Sequence, residues 1–585
     1  MTDRRALLER GLAHQRAGRW AEAAADYRAV LSADPRDADA LHLLGVLSAA
    51  QGDFASAVDL LQQAVAVRPE LPMLHNNLGN AQAKSKQFAA AAASFRRAIE
   101  LAPDYPEAHF NLAMALTELK DHSAAAAIGR RAVELAPKNA KAAVILGLNL
   151  MELGRSGEAI AAFRRAQRVQ PDVETGRFIL QAVGYDPAQT NASRFAAHRQ
   201  FAADFAPYPS PRHDFTNVRD PDRPIRIGWL SSDFHDHSVA RNLWPIFERL
   251  DRRQFEMVCY SEVQHSDHVT AAFRAISQGW RDIRGQSDIA VADLIRDDGV
   301  DILIVLAGRF DRNRPLVAAY RAAPVQVSFH DPGTSGIDNM DYLVADRVLV
   351  PRDTTEKFTE RVVCVPSFYV HAPIDGAPDI SPPPCMDGRG VIFGSFSNPL
   401  KISDDVMALW AAILRRVPNS RLFLKYNDKL GPQRDRLQAA LAGAGLAAER
   451  LVIGSRFDDS RQHLALYRDI DIALDPFPFA GSTSTFEALW MGVPVVTLLG
   501  DAMAGRWSAS MLHTLKLDAW IARMPADYVE IAASMAADRA RLASLRAELR
   551  DRVTRSWLCD GPGHARRFER LLRSLWRQWC RSRVG

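Results

Sequence analysis

The sequence predicts an all-helical repeat array followed by a two-lobed α/β body, and three observations carry that expectation. Prolines recur at Pro35, Pro69, Pro103, Pro137 and Pro171, each 34 residues after the last. From Ile225 onward, short β-branched runs alternate with amphipathic helical stretches. A proline-rich gap, "APDISPPPCMDGRG", splits those runs into two halves of similar size.

The repeats come first. Small residues keep the proline period at Gly45, Gly79, Ala113 and Gly147, and bulky ones at Tyr27, Leu61, Phe95 and Phe163, with Gly129 breaking that row. This is the tetratricopeptide pattern of two antiparallel helices per unit. The small residue lets the first helix approach the second, the bulky one fills the gap, and the proline ends the second helix because it cannot continue the hydrogen-bond ladder. One unit cannot bury its apolar face alone, so about five stack into a superhelix with a concave groove. Such grooves bind extended peptides. Asn77 and Asn111 hold equivalent places on the first helix, where an amide clamps a peptide backbone or simply faces solvent; Leu43 and Ile145 stand there in the neighbouring units. The expected boundaries are 1–175 for the repeats, 176–224 for a helical linker region ending in the Pro/Asp-rich "SPRHDFTNVRDPDRP", 225–383 for the first lobe and 384–585 for the second with a C-terminal helix.

Composition narrows the function classes. A chain of 585 residues calls for two or three domains, and 48% apolar with 24% charged residues is a soluble globular balance. The net charge of +4 is mild and no aromatics interleave with basic clusters, which argues against a nucleic-acid partner. Five scattered cysteines fit neither a disulfide framework nor zinc-ligand spacing, so a cytoplasmic location is expected. No apolar run approaches a membrane span, and "MTDRRALLERG" lacks the apolar core of a signal peptide, which makes "NAS" at Asn191 a chance sequon.

In the body, "IRIGWL", "FEMVCY", "DILIVLAG" and "VQVSF", then "VIFGSF", "RLFLKY", "RLVIG", "DIALD" and "PVVTLL", read as strands of two parallel sheets. Ligands in such sheets bind beyond the carboxyl ends of the strands. Three loops there carry chemistry. "SSDFHDHSVARN" brings His235, Asp236 and His237 to a strand end; His237 suits hydrogen bonding or proton handling, and no further metal ligands stand at suitable spacing. "FGSFSNPLKISDD" places Lys401 before Ser403, an expected N-cap, giving a cationic pocket suited to phosphate. Only 10 of the 73 basic residues are lysines, which makes Lys401 more conspicuous. "DIALDPFPFAGSTSTFEALW" runs from a buried strand into a hydroxyl-rich helix start, as a diphosphate needs. Glu487 there has two readings, a Ser484–Glu487 capping box or a carboxylate for a ribose diol. Asp469–Asp471 reads as strand-entry polarity rather than a metal site. The basic, amphipathic "HARRFERLLRSLWRQWCRSRVG" offers Phe568, Leu571, Leu572, Leu575, Trp576 and Trp579 as an apolar face, expected to dock across the two lobes, with an anionic membrane as the alternative.

These loops, in this order behind tetratricopeptide repeats, resemble the O-linked N-acetylglucosamine transferase family, particularly its compact bacterial members. "IRIGWLSSDFHDHSV", "APVQVSFHDPGTSGIDNMDYLVAD", "SFSNPLKI", "LWAAILRRVPNSRL" and "DIALDPFPFAGSTSTFEALWMGVPVVTL" carry the resemblance. It implies a GT-B fold of two Rossmann-like lobes and inverting, metal-independent transfer of a sugar from a UDP donor to serine or threonine, with no cofactor. The implied partners are the nucleotide sugar and protein or peptide acceptors in the repeat groove. His237 then matches the active-site histidine, its exact role open, and Lys401 the lysine that neutralises the leaving diphosphate. Asn398 is the neighbouring amide, and His463 a nucleotide contact. Thr483 and Ser484 match the phosphate-binding hydroxyls, Ser482 stands where animal members have a histidine, and Glu487 replaces the aspartate that holds the ribose. One departure concerns the donor-sugar pocket. "SFHDPGTSG" is a residue shorter than the family pattern, so Phe329–Asp331 alter the loop that leads into Pro332 and Gly333. His330 becomes a second candidate for proton handling. That change leaves two alternatives, another nucleotide sugar such as GDP-fucose, or a repeat scaffold with a decayed transferase body. The acceptor and the oligomeric state are open, since repeat surfaces of this kind also self-associate.

Overall fold

The computed structural model describes residues 3–207, 214–308, 311–426, 431–455 and 459–582. Residues 208–213 of the expected linker and the last three of the C-terminal stretch lie outside them. The fold divides into two compact units, the first built on Met1–Leu153 and Glu158–Pro171 and the second essentially on the chain from Asp172 onward.

The first unit is five antiparallel helix pairs: α1 (Arg4–Arg16) with α2 (Trp20–Ala33), α3 (Ala38–Ala50) with α4 (Phe54–Val67), α5 (Pro72–Lys84) with α6 (Phe88–Leu101), α7 (Pro106–Glu118) with α8 (His122–Leu135), and α9 (Ala140–Glu152) with α10 (Ser156–Val169). The second helix of every pair stops two residues before a proline of the 34-residue row. Close approach within a pair follows from the missing side chain: a Cβ on Gly79 would lie 2.6 Å from the Phe95 ring, and one on Gly147 2.4 Å from Phe163. Gly11 meets Tyr27 in the same way, extending the row one period toward the amino terminus. Tyr27, Phe95 and Phe163 are fully buried, each contributing about 2–3 kcal/mol of transfer free energy. The turn inside each pair uses one left-handed residue, again at the 34-residue period: Gly18, Gly52, Lys86, Lys120 and Gly154. His75 and His109 bond the carbonyls of Pro69 and Pro103, at 2.8 Å each, and so brace successive pairs. The two asparagine rungs are not free amides. Asn77 Nδ2 lies 2.7 Å from His42 Nε2, and Asn111 donates to Asn76 Oδ1 at 3.0 Å, so both are half-buried links between units.

In the second unit, α11 (Val173–Tyr185) and α12 (Asn191–Phe205) precede the first lobe. That lobe runs β1 (Ile225–Ser231), α13 (Ser238–Phe247), β2 (Phe255–Ser261), α14 (His268–Ile276), β3 (Gly279–Asp282), α15 (Asp288–Asp297), β4 (Ile302–Leu306), α16 (Leu316–Ala319), β5 (Val325–Phe329), β6 (Tyr342–Ala345) and β7 (Arg361–Cys364). The second lobe runs β8 (Ile392–Ser395), α17 (Asp404–Arg416), β9 (Arg421–Tyr426), α18 (Gly431–Gly443), β10 (Leu451–Ser455), α19 (Ser460–Ala465), β11 (Ile472–Leu474), α20 (Thr483–Trp490), β12 (Val495–Leu498), α21 (Trp507–Thr514), β13 (Ile521–Ala522), α22 (Pro525–Ala537) and α23 (Arg539–Thr554), and α24 (Gly561–Arg581) follows.

Both sheets are parallel throughout, ordered β3-β2-β1-β4-β5-β6-β7 and β10-β9-β8-β11-β12-β13. Strands β4 and β5 are buried along their whole length, as sheets covered on both faces require. The strand order reverses between β1 and β4 in one sheet and between β8 and β11 in the other, and those switch points open crevices for ligands.

Helix α24 corrects one expectation. It does not dock across the lobes but joins the first-lobe core, where Phe568, Leu572, Leu575 and Trp576 pack with Trp229, Phe247 and Phe329. Phe568 stacks on Phe329 at 5.2 Å and on Trp229 at 6.0 Å, while Trp576 Nε1 donates to the Asp220 carbonyl at 2.9 Å. That face is therefore unavailable to a membrane. No helix among the described residues is long and apolar enough to cross one.

Candidate active site between the lobes

A cleft of about 720 Å³ separates the lobes of the second unit. Asp236, Ser238 and Arg241 face it from the start of α13, and most of its wall comes from the second lobe. Seven of the residues singled out from sequence line it: Asn398, Lys401, His463, Ser482, Thr483, Ser484 and Glu487.

Lys401 closes a 3-10 turn, Pro399–Lys401, between β8 and α17; Asn398 caps the turn through Leu400 N–H, and Ser403 caps α17 through Val406 N–H. The Lys401 Nζ donates to the Ala480 carbonyl at 2.8 Å and lies 4.3 Å above the Phe479 ring. Burial pushes its ammonium down to about 8, against a partial counterweight from Asp475. The cation is thus held one residue from the "GSTST" turn. That turn is built by Asp475, at the end of β11, whose Oδ1 accepts from Gly481 N–H at 2.7 Å and whose Oδ2 accepts from Thr497 at 2.7 Å. Helix α20 begins at Thr483 with Ser482 as its N-cap, and Ser482 makes no side-chain capping bond. The N–H groups of this helix start, beside the hydroxyls of Ser482, Thr483 and Ser484 on the cleft wall, are suited to an anion.

The capping-box reading of Ser484 and Glu487 is overturned. Ser484 is already inside α20, and its Oγ lies 3.3 Å from Ser397 Oγ. The Glu487 carboxylate instead meets His463 Nε2 at 2.9 Å, the Tyr467 hydroxyl at 3.4 Å and, across the cleft, Arg241 at 3.9 Å. Burial alone would raise this carboxyl; the His463 hydrogen bond, with the charges of His463, Lys425 and Arg241, brings it below the ordinary range. Lys425 in turn sits 3.0 Å from His463 Nδ1. Sequence reasoning missed Lys425, Arg241 and Tyr467. The scarcity of lysines and the position of Lys425 near the carboxyl end of β9 were the available signals.

His237 is the N-cap of α13, its Nδ1 accepting from Val239 N–H at 3.3 Å. It sits between Asp236 and Ser238, which line the cleft, beside the β1/β4 switch point. His235 is not a co-ligand; the group that gathers around His237 is Asp233 and Asp311, one ligand atom from each residue lying within 4.8 Å of the others. Both Asp233 oxygens already accept hydrogen bonds, from Ser232 Oγ at 2.7 Å and Asn313 Nδ2 at 2.8 Å.

His330, Pro332 and Gly333 do not reach this cleft. Pro332 and Gly333 line a separate cavity of about 30 Å³ beside α11 and α12. His330 is buried against Phe329 and Phe368, with Nε2 lacking a hydrogen-bond partner among the described residues, and burial pushes its imidazole down to about 3. An imidazole held that low is a weak base, and its ring is packed away from the cleft, so His330 does not serve as the proton carrier. Asp471 is likewise structural, accepting from Cys385 N–H at 3.0 Å and Ile392 N–H at 2.8 Å.

Two parallel α/β lobes facing across a cleft, with a buried cation and a hydroxyl-rich helix start on one wall, define a GT-B architecture. The chain belongs to glycosyl transferase family 41, whose model matches residues 206–373 and 386–566, behind tetratricopeptide repeats matched over 8–72, 76–140 and 140–173. It is 34% identical over 428 residues to the Arabidopsis thaliana protein named "Probable UDP-N-acetylglucosamine–peptide N-acetylglucosaminyltransferase SPINDLY", covering 71% of this chain and 46% of that one. The Arabidopsis thaliana protein of the same description named SEC is 29% identical over 369 residues, covering 61% of this chain and 37% of its own length. The chain thus spans less than half the length of these relatives. A solved structure of a mutant Thermobaculum terrenum O-GlcNAc transferase is 31% identical with a TM-score of 0.69, covering 99% of this chain and 98% of that one.

Proposed function

We propose that the protein is an inverting, metal-independent O-glycosyltransferase that moves N-acetylglucosamine from a UDP donor to serine or threonine of protein segments recruited by the repeats. The observation that carries this reading is the Lys401 ammonium, held at the Ala480 carbonyl beside the start of α20. Displacing a nucleoside diphosphate with a hydroxyl builds charge on the departing phosphate. A fixed cation and helix-start N–H groups stabilise that charge best in a water-poor cleft. Glu487, at hydrogen-bond distance from His463 and Tyr467, is oriented to accept from a ribose diol. Lys401 and the start of α20 supply the positive charge that a metal would otherwise bring to the leaving diphosphate. Five free cysteines fit a cytoplasmic setting.

The test incubates the purified full chain with UDP-N-acetylglucosamine, UDP-glucose and GDP-fucose in host lysate, with and without EDTA, and identifies modified peptides by mass spectrometry. The expected result is EDTA-insensitive transfer from UDP-N-acetylglucosamine that falls about 10²–10³-fold in Lys401→Ala. Transfer from GDP-fucose alone would reassign the donor. Undiminished activity in Lys401→Ala would remove the site assignment, and no transfer from any donor would reduce the body to a scaffold.

A further inference from the structure

The geometry points to Asp311 as the general base that deprotonates the acceptor hydroxyl, with His237 serving as the donor that holds it; this rests on the transferase reading above. The imidazole of His237 lies between two carboxylates, Asp233 Oδ2 at 3.8 Å from Nδ1 and Asp311 Oδ2 at 3.5 Å from Nε2. Its Nδ1 is engaged as an acceptor, capping α13 through Val239 N–H at 3.3 Å. A nitrogen that accepts carries no proton, so the ring proton of the neutral form sits on Nε2 and faces Asp311. In that tautomer Nε2 has no lone pair to offer a substrate, and His237 orients rather than abstracts.

Asp311 is suited to the task His237 leaves open. Its side chain is 55% exposed, against 1% for Asp233, so it alone of the two carboxylates is open to solvent, across the His237 ring from it and next to the cleft-lining Asp236 and Ser238 that flank His237 in sequence. It follows β4, and His237 follows β1, the two strands flanking the switch point of the first sheet. The loop is anchored two residues later, where Asn313 Oδ1 accepts from Ser231 Oγ at 2.9 Å and from Ser232 N–H at 2.8 Å, and Asn313 Nδ2 donates to Asp233. Asp311 itself holds a left-handed backbone conformation, φ +50°, which an aspartate tolerates better than most residues.

In the step so assigned, the acceptor oxygen bonds to the anomeric carbon as its O–H bond breaks, and the proton passes to the Asp311 carboxylate. The anomeric carbon–oxygen bond to the diphosphate breaks with its electron pair, and the diphosphate leaves against Lys401. The charged and titratable neighbours of this group are Asp233, His235, Arg177 and Arg312.

The test compares Asp311→Asn, Asp311→Ala and Asp311→Glu with the wild type in sugar transfer, alongside UDP affinity by calorimetry. Asn and Ala are expected to lower kcat about 10²–10⁴-fold with donor KM and UDP affinity unchanged, and Glu to retain part of the rate. Added formate, a carboxylate small enough for the vacated space, should restore turnover to the Ala variant. Asp311→Asn within threefold of an active wild type overturns the assignment alone, as does an Ala variant that formate does not rescue. A wild type that transfers no sugar overturns the transferase reading and this step with it.

Discussion

Replacing Lys401 by methionine should lower transfer about 10²–10³-fold and yet stabilise the protein at neutral pH. The lysine ammonium sits at about 8 rather than the 10.5 of an exposed lysine because burial disfavours its charge. At about 1.4 kcal/mol per pH unit, the charged side chain costs the folded state about 3 kcal/mol below pH 8. Part of the residue faces the cleft, where solvent returns some of this, and the substitution strands the Ala480 carbonyl; the expected net gain is about 1–2 kcal/mol at pH 7. The sign with pH is fixed by linkage. Between pH 8 and 10.5 the unfolded chain binds the proton and the folded chain does not, so wild-type stability rises with pH there and the advantage of the variant falls by more than half by pH 9.5. Urea denaturation followed by tryptophan fluorescence reads this out, because ten of the 11 tryptophans lie beyond the repeats. A variant equally destabilised at both pH values, or one that transfers sugar at the wild-type rate, would refute the reasoning.

Three further outcomes follow from the geometry. Lys86→Gly and Lys120→Gly should each stabilise the repeat unit by about 0.5–1 kcal/mol in thermal unfolding, since both lysines hold the left-handed turn position that glycine fills elsewhere in the row. Trp576→Ala should cost about 3–5 kcal/mol in urea denaturation by opening the first-lobe core. Glu487→Ala should weaken UDP binding by about 1.5–3 kcal/mol in calorimetry, and much less for a nucleotide lacking both ribose hydroxyls.

Legibility in the sequence followed local strength of signal. The repeat helices were plain because proline, small and bulky rows share one period; the left-handed row at Gly18, Gly52, Lys86, Lys120 and Gly154 was equally periodic, but its lysines disguise it. Strands with long β-branched runs, such as β1 and β4, were readable. Strands β3 and β13 were not, since GWRD has no β-branched residue and β13 spans only two residues; β6 and β7 were passed over although they are as long as β8 and β12. The wall of the cleft built from α20 and its preceding turn could be read as one segment. The Asp233–His237–Asp311 group could not, because its members follow different strands and only the β1/β4 pairing brings them together. The Ser484–Glu487 pattern misled because the true helix start lies two residues earlier than that motif requires.

The packing of α24 also sets a timetable for synthesis. The first-lobe sheet begins at Ile225, but the aromatic lid over it, Phe568 and Trp576, follows more than three hundred residues later. At ribosomal rates of about 5–20 residues per second, the face around Trp229 and Phe329 waits about 15–70 seconds for its cover. During that interval the nascent lobe presents an open apolar sheet, while the repeat cores around Tyr27 and Phe95 close on repeat residues already made. The two halves of the molecule therefore mature on different clocks, and a ribosome stalled before residue 568 would leave a finished repeat array tethered to a chaperone-dependent sheet.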